Sequence, residues 1–167
     1  MSVKTEAKIG GKTDVKSSVI SSEVIVADAD GHIAGRLCSK VSKLLLEGNK
    51  VVIVNAEKAL MSGSRKSILQ EYQDWLQIAS ITHPKHGPFH PRRPDGLLAR
   101  MIRGMLPRQK SKGIEARRRL RVYISVPTQF NKMKMTVFDD AKARKAMSYY
   151  LTMGEVASSM GWRANTT

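Results

Sequence analysis

The strongest constraint on the fold is a strand–helix–strand pattern near the start of the chain. Two short apolar runs, VIVA at residues 24–27 and VVIV at residues 51–54, are typical of strands buried on both faces of a sheet. Between them, apolar residues recur at helical spacing, which predicts an amphipathic helix over residues 33–47, capped by Asp28 or Asp30. Such a βαβ unit has parallel strands and a right-handed crossover.

The sequence patterns that predict the remaining elements are less regular. A second helix is predicted over residues 67–78, with its aromatic side chains in the core, and residues 61–64 are predicted to be a loop. Further predicted elements are a strand over residues 122–126, a helix over residues 139–147, and a short helix over residues 155–160 behind a capping box at Thr152.

Length and composition favour one domain with an ordinary core. The chain has 167 residues, of which 41% are hydrophobic, so a packed interior is expected. Residues 1–22 are polar and aperiodic, which predicts a flexible tail, either without a role or contacting RNA, before a single α/β domain over residues 23–167. The single cysteine, Cys38, excludes an intrachain disulfide and fits a reducing intracellular setting, where we expect it to be buried and inert.

Positive charge is concentrated in one part of the sequence. Residues 83–121, here called the basic segment, hold twelve Lys and Arg residues and two acids, a net charge of +10 out of +15 for the whole chain. A field of this sign and density favours a polyanionic partner. No apolar run exceeds four residues, so a membrane partner is not expected, and nucleic acid is the simplest inference.

The basic segment divides into an extended part and a helical part. Four of the six prolines lie within residues 83–94, here called the basic arm, and they exclude a regular helix there. From residue 97 to residue 105 the apolar residues fall on one helical face, and Arg100 and Arg103 project from the opposite face toward phosphates. Residues 108–113 are predicted to be a basic loop, followed by a helical turn at residues 117–119.

Two loops resemble phosphate-binding motifs only in part. Residues 30–35, DGHIAG, lie between a strand and a helix but lack the GxGxxG pattern, so close helix–sheet packing explains these glycines better than a dinucleotide does. Residues 63–67, GSRKS, lack the glycine before the lysine of a Walker loop. This loop is predicted to be either a seat for a backbone phosphate or a solvated loop.

The sequence offers no catalytic motif and no convincing metal site. It has no GxSxG, no HExxH and no distinctive carboxylate pair, so no enzyme, cofactor or small-molecule substrate is expected. His83, His86 and His90 lack a fourth ligand and lie among cations, which disfavours a divalent metal ion. Contact with exposed bases is the better prediction for these imidazoles.

RNA is a better partner than DNA for this pattern. The sequence contains no helix-turn-helix, zinc finger or basic zipper. A stiff basic arm beside a basic helix suits a folded, irregular RNA that is bound through its shape and its backbone. Aromatic residues make up only 5% of the chain, so base stacking is not expected to dominate.

Several blocks of the sequence, in order, resemble large-subunit ribosomal protein thirteen, the universal L-thirteen family. They are DADGHIAGRLCSKVSKLLLEG (28–48), VVIVNAEKALMSG (51–63), HPKHGPFHPRRP (83–94), RMIRGMLP (100–107), LRVYISVP (120–127) and LTMGEVASSMGW (151–162). The match covers about residues 24–162. The GPFHPRRP version is similar to the archaeal and eukaryotic branch, and the lack of the eukaryotic C-terminal extension leads us to expect the archaeal type.

The resemblance implies a three-layer α/β/α fold with a mostly parallel four-stranded sheet, plus the extended basic arm. It also implies a non-enzymatic, structural role in the large subunit of the cytoplasmic ribosome, with large-subunit rRNA and neighbouring ribosomal proteins as partners. An mRNA-binding translational regulator outside the ribosome is the alternative.

The resemblance implies RNA contacts at Lys66, His83, Lys85, His86, His90, Arg92, Arg93, Arg100, Arg103, Arg108, Lys110, Lys112, Arg117, Arg118 and Arg119. Arg36, on the polar side of the first helix, is predicted as a further RNA contact.

Overall fold

The structure is a computed structural model that describes residues 24–164, so the predicted tail at residues 1–22 lies outside the described residues. Its helices are α1 (Ala34–Leu46), α2 (Arg65–Gln77), α3 (Pro94–Met105), α4 (Ser111–Arg118) and α5 (Met153–Ser159). Its strands are β1 (Val24–Asp28), β2 (Lys50–Val54), β3 (Leu60–Ser62), β4 (Leu120–Val122), β5 (Met135–Thr136) and β6 (Tyr150–Thr152). Short 3₁₀ turns occur at Ala56–Lys58, Pro84–His86, Asp139–Ala141 and Met147–Tyr149.

The main sheet is parallel and has the strand order β4-β2-β1-β5. Strands β1 and β2 are direct neighbours, as the βαβ pattern predicted, with Val26 opposite Val52. Strands β3 and β6 form a separate antiparallel pair. The predicted α/β fold with a mostly parallel four-stranded sheet is therefore confirmed.

The two faces of the main sheet are covered differently, because successive residues of a strand point to opposite sides. On one face, helices α1 to α5 contribute to a single core that includes Leu37 of α1 and Leu98 of α3. On the other face, Val26, Val52 and Val54 pack against the irregular chain that follows β4. In the described chain, an irregular segment rather than a helix thus forms the third layer.

Two predicted elements are wrong. The strand predicted over residues 122–126 lies earlier, at Leu120–Val122, because this stretch pairs with β2 and the chain leaves the sheet after Tyr123. The helix predicted over residues 139–147 is only a 3₁₀ turn at Asp139–Ala141. It ends there because the backbone of the next two residues bonds to the loop after β1, where the Ala143 N–H donates to the Gly31 carbonyl.

Sequence patterns also missed short elements. The fourth strand of the main sheet, β5, has two residues, and β3 occupies part of the predicted loop at 61–64. Helix α4 begins at Ser111, inside the predicted basic loop, and the basic arm contains one 3₁₀ turn. The cap predicted at Thr152 is confirmed, since its Oγ1 accepts a hydrogen bond from the Glu155 N–H at 3.2 Å.

The loop after β1 is held by side chains with structural roles. Neither aspartate caps α1 as predicted, because Asp28 Oδ1 instead accepts hydrogen bonds from the Asp30 N–H (3.0 Å) and from Asn55 Nδ2 (2.8 Å). His32 is buried, with Nδ1 donating to the Asp30 carbonyl (2.8 Å) and Nε2 accepting from the Phe138 N–H (3.1 Å). His32 therefore packs between the ends of β1 and β5, the switch point at which doubly wound sheets usually bind ligands.

Cys38 lies on the core face of α1, and its burial raises the pKa of the thiol to about 12 from the ordinary value of 9.0. The folded state therefore holds its proton at a pH where the unfolded chain has lost it. Stability from this group is complete below pH 9.0 and is lost as the pH rises toward 12, by up to about 1.4 kcal/mol per pH unit. Urea unfolding between pH 8 and pH 11 measures this slope.

The Cys38→Ala variant is the control for that titration. It is expected to be less stable than the wild type at pH 8, because it leaves a small cavity, but to lose less stability as the pH rises. Equal slopes for the two proteins between pH 9 and pH 11 would show that the thiol does not contribute to the alkaline loss.

Candidate nucleic-acid interface

Helix α3 presents arginines because its opposite face is fixed in the core. Pro94 lies in its first turn, and Leu97, Leu98 and Ile102 are buried against α1 and the sheet. The predicted apolar face is thus confirmed for these residues, although Met105 at the end of the helix is exposed. Arg103, on the other side, is half-buried.

Helix α4 adds a second row of cations beside α3. Gly113 and Ala116 are its buried residues, and Lys112, Arg117 and Arg118 are exposed. The helix leads directly into β4, so its position is fixed by the pairing of β4 with β2. Helix α4 and its cations are therefore held in place by buried Gly113 near its start and by the sheet pairing of β4 after its end.

The basic arm runs from α2 to α3 and encloses a pocket, here called the arginine pocket, of about 680 Å³. Its lining includes Phe89 from the arm, and the arginines come from three elements: Arg100 and Arg103 from α3, Arg117 from α4 and Arg121 from β4. The fold thus brings together side chains that are up to 32 positions apart in the sequence.

Like charges repel one another at this site. Burial lowers the pKa of the Arg103 guanidinium, and the positive charges of Arg117, Arg108 and Arg100 lower it further. Among the described residues that line the arginine pocket, Asp95 is the one acid, and its Oδ2 already lies 3.2 Å from Nη2 of Arg93. A bound anion would relieve this repulsion, whereas a neutral ligand would not.

Comparison with known proteins identifies the family. The sequence model of the ribosomal protein L13 family matches residues 22–129. The chain is 45% identical over 138 residues to large ribosomal subunit protein uL13 of Methanosarcina barkeri, covering 81% of this chain and 96% of that protein. The chain belongs to the ribosomal protein L13 family. The uL13 proteins of Aeropyrum pernix (41% identity; 83% of this chain, 90% of that protein) and Archaeoglobus fulgidus (38%; 86% and 92%) are similar to it at nearly full length.

These relatives are archaeal, so the predicted family and its archaeal type are confirmed. Membership of the L13 family makes the chain a structural ribosomal protein rather than an enzyme, as the sequence predicted. In the described part of the chain, no helix has the length and apolar character needed to cross a bilayer. Among residues 24–164, there is no group of three or more His, Cys, Asp or Glu side chains that could hold a metal ion.

Most of the residues predicted to contact RNA have exposed side chains in this L13-family protein. The exposed ones are Arg36, Lys66, His83, Lys85, His86, Arg92, Arg93, Arg108, Lys110, Lys112, Arg117 and Arg118. The half-buried ones are His90, Arg100, Arg103 and Arg119, and three of these have a partner within the protein.

His90 is oriented inward rather than toward solvent. Its Nε2 donates to the Ile78 carbonyl at 2.7 Å, and its ring packs edge-on against Trp75 with the centroids 4.4 Å apart. The ring thus fastens the arm to the end of α2 in this structure, and contact of His90 with exposed bases stays a prediction. His83 and His86, on the 3₁₀ turn of the arm, are exposed.

Arg100 also has a structural role that its position on the helix did not reveal. Its guanidinium lies 4.7 Å from the centroid of the Trp75 ring, and Nη1 donates to the Phe89 carbonyl at 2.8 Å. The side chain therefore connects α3 with both α2 and the basic arm. Contact of Arg100 with phosphate stays a prediction, since its guanidinium already has these two partners within the protein.

Replacing Arg100 by alanine is expected to destabilise the protein by about 1–3 kcal/mol, since it removes a cation–π contact and a charge-assisted hydrogen bond. Hydrogen exchange at the His86 and Gly87 amides, which donate within the 3₁₀ turn of the arm, is expected to accelerate, because the arm loses its bond to α3 through the Phe89 carbonyl. Arg103→Ala is the matched control on the same helix and should leave exchange in the arm unchanged. Equal exchange in the wild type and Arg100→Ala would contradict the connecting role.

Arg119 is turned toward the protein as well. Its Nη2 donates at 3.0 Å to the Leu45 carbonyl in the last turn of α1, which also accepts from the Gly48 N–H at 3.2 Å. Arg119 is thus a helix-capping residue in this structure, while the two arginines before it in the sequence remain exposed. The periodicity of a short basic run gives no signal for this difference.

Two residues of the site were not among the predicted contacts. Arg121 lines the arginine pocket, and its Nη1 donates to the carbonyls of Leu120 (3.0 Å) and Arg118 (3.3 Å). Phe89 has 82% of its surface exposed although it lies in a folded segment. Its position between two prolines of the arm was the available sequence signal, because prolines keep this stretch out of a regular helix that could bury the ring.

Lys66 lies apart from the arginine pocket. It lines a separate groove of about 1210 Å³ between α2 and α3. Its neighbour Arg65 forms an ion pair with Glu155 at 2.6 Å, so one of the two cations of the GSRKS loop is paired within the protein. Arg36 lies on the exposed side of α1.

Proposed function

We propose that this protein binds and stabilises folded large-subunit rRNA through the basic arm, the outer side of α3 and helix α4. The observation that carries the proposal is the like-charge cluster around Arg103, in which the one carboxylate of the described lining, Asp95, is already paired with Arg93. Such an arrangement is unfavourable in the isolated protein and becomes favourable when phosphates enter it.

The proposed role is to lower the repulsion between RNA segments that converge on this surface. Fixed cations replace mobile counterions there, so the RNA folds compactly with a smaller loss of free energy. The residues proposed to meet phosphate or sugar are the exposed members of the predicted set, together with Arg103 and Arg121. Arg100, His90 and Arg119 support this surface from within.

Neighbouring large-subunit proteins are the second proposed class of partner. Several large apolar side chains are exposed outside the arginine pocket, among them Ile78, Met147 and Tyr149. Apolar groups of this kind suit contact with protein better than contact with phosphate. The alternative role of an mRNA-binding regulator outside the ribosome has no support in the family match or in the names of the relatives.

Ultraviolet crosslinking of intact large subunits that contain this protein, followed by mass spectrometry, tests the proposal. Nucleotide adducts are expected on peptides that cover residues 85–93 and 108–118. Peptides around Lys58 and Lys142, whose side chains form ion pairs with Asp30 and Asp139, serve as the internal control. Adducts on the control peptides alone would contradict the proposed interface.

A further inference from the structure

The arginine pocket has two chemically different walls. One wall consists of guanidinium groups, with Arg103, Arg117 and Arg121 among them. The other consists of rings from the basic arm, Pro88 and Phe89. Its volume of about 680 Å³ lies within the range of about 300–1000 Å³ that is typical of sites for small molecules and cofactors.

The apolar wall is held in place before any ligand binds. Arg100 donates to the Phe89 carbonyl at 2.8 Å, and the prolines on both sides of this stretch restrict its backbone. Gly96 allows the arm to lie against the first turn of α3, because a Cβ at this position would be 2.9 Å from Cβ of Pro91. The Phe89 ring is therefore exposed on a restrained backbone, so the backbone loses less entropy when the ring stacks on a ligand.

The cationic wall lacks enough negative partners. Asp95 is the single acid in the described lining, and it accepts from the Gly96 N–H and pairs with Arg93, which is not part of the lining. Burial and neighbouring positive charges lower the pKa of Arg103, which is the expected consequence of a cation cluster without an anion. The pocket thus suits a ligand that carries negative charge at one end and a flat apolar surface at the other.

We propose that the arginine pocket takes one unpaired nucleotide of the bound RNA, with its base stacked on Phe89 and its phosphate against Arg103, Arg117 and Arg121. This inference rests on the proposed function and specifies which part of the RNA this site binds. A phosphate of a paired helix would satisfy the arginines but would leave Phe89 in water. An unpaired nucleotide satisfies both walls, because its base is free to leave the stack.

The test compares the binding of purified archaeal large-subunit rRNA to the wild type, Phe89→Ala and Phe89→Trp over a range of salt concentrations. Phe89→Ala is expected to raise Kd by about 5- to 100-fold at every salt concentration, with the slope of log Kd against log salt unchanged, because stacking releases no counterions. Phe89→Trp is expected to restore affinity. Arg121→Gln is expected to reduce the steepness of that slope by about 1.

Ile81→Ala is the matched control, because Ile81 is 98% exposed in the segment that leads to the arm and does not line the pocket. It should bind as the wild type does. If Phe89→Ala also binds the rRNA as the wild type does, the proposal is overturned. This holds even if Phe89→Ala has lost affinity for another ribosomal protein, because Phe89 would then contact protein and not a nucleotide. The proposed function would then still stand, provided that the wild type binds the RNA with a steep dependence on salt.

Discussion

Replacing Arg103 and Arg117 together by glutamate is expected to weaken binding to large-subunit rRNA by about 10²- to 10⁴-fold. Each change removes a charge-assisted contact worth about 1.5–3 kcal/mol, and two such losses give about 3–6 kcal/mol. The fold should remain intact, because Arg117 is exposed and the charge of Arg103 is opposed by its own neighbours. Filter binding at fixed salt and circular dichroism measure the two effects.

The double variant Lys58→Glu with Lys142→Glu is the matched control, since it changes the net charge by the same amount. Both lysines are about half exposed, Lys58 in the turn after β2 and Lys142 in the turn after β5, and neither lines the arginine pocket. If this control loses as much affinity as the arginine variant, general charge rather than the proposed surface determines binding. Loss of helical signal in the arginine variant alone would show that Arg103 is required for folding.

Replacing Gly113 by alanine is expected to destabilise the protein by about 3 kcal/mol or more. A Cβ at this position would lie 2.1 Å from the Pro107 carbonyl oxygen and 2.7 Å from its carbon, and backbone atoms cannot move aside as a flexible side chain can. Overpacking usually costs about 1–3 kcal/mol, and a collision with backbone belongs at the upper end. Since α4 carries Lys112 and Arg117, rRNA affinity should fall as well, although no charge is changed.

Gly104→Ala is the control for that prediction, because it makes the same change near the end of α3, where a Cβ meets no atom within 4 Å. It is expected to leave stability unchanged or to increase it by up to about 1 kcal/mol. Urea unfolding of both variants decides the matter. Similar stability in Gly113→Ala and the wild type would mean that α4 is free to move away from Pro107.

The parts of the fold that were predictable are those in which a local pattern and the final packing agree. Helix α1 and its flanking strands follow from apolar spacing alone, and residues 34–46 form a helix within the predicted range. The buried side of α3 was predicted for the same reason, since Leu98 and Ile102 lie on one helical face. In these elements the local helix or strand preference and the tertiary packing favour the same conformation of each residue.

The short strands were not predictable, because their pairing depends on distant parts of the chain. Strand β5 has only two residues and is defined by its position beside β1. Strand β3 pairs with β6, which lies about ninety positions later in the sequence. The helix expected after Asp139 was likewise replaced by contacts of Lys142 with the loop after β1. Periodicity within a window carries no information about such partners.

Within the candidate interface, the sequence identified the segment but not the direction of each side chain. Arg100 and Arg103 lie on one side of a helical projection. Arg100 nevertheless packs its guanidinium on Trp75 of α2, whereas Arg103 lines the arginine pocket without such a contact among the described residues. Arg119 differs in the same way from its two neighbours, because the end of α1 lies within reach of its guanidinium. Long cationic side chains choose among nearby partners, and those partners are set by tertiary structure.

Fixed positive groups on one side of this L13-family protein are proposed to bind rRNA phosphates. The most direct test measures Kd for purified archaeal large-subunit rRNA between 50 and 400 mM potassium chloride. If about eight phosphates are engaged, log affinity should fall with log salt at a slope of about −6 to −7. A slope near zero would contradict the claim.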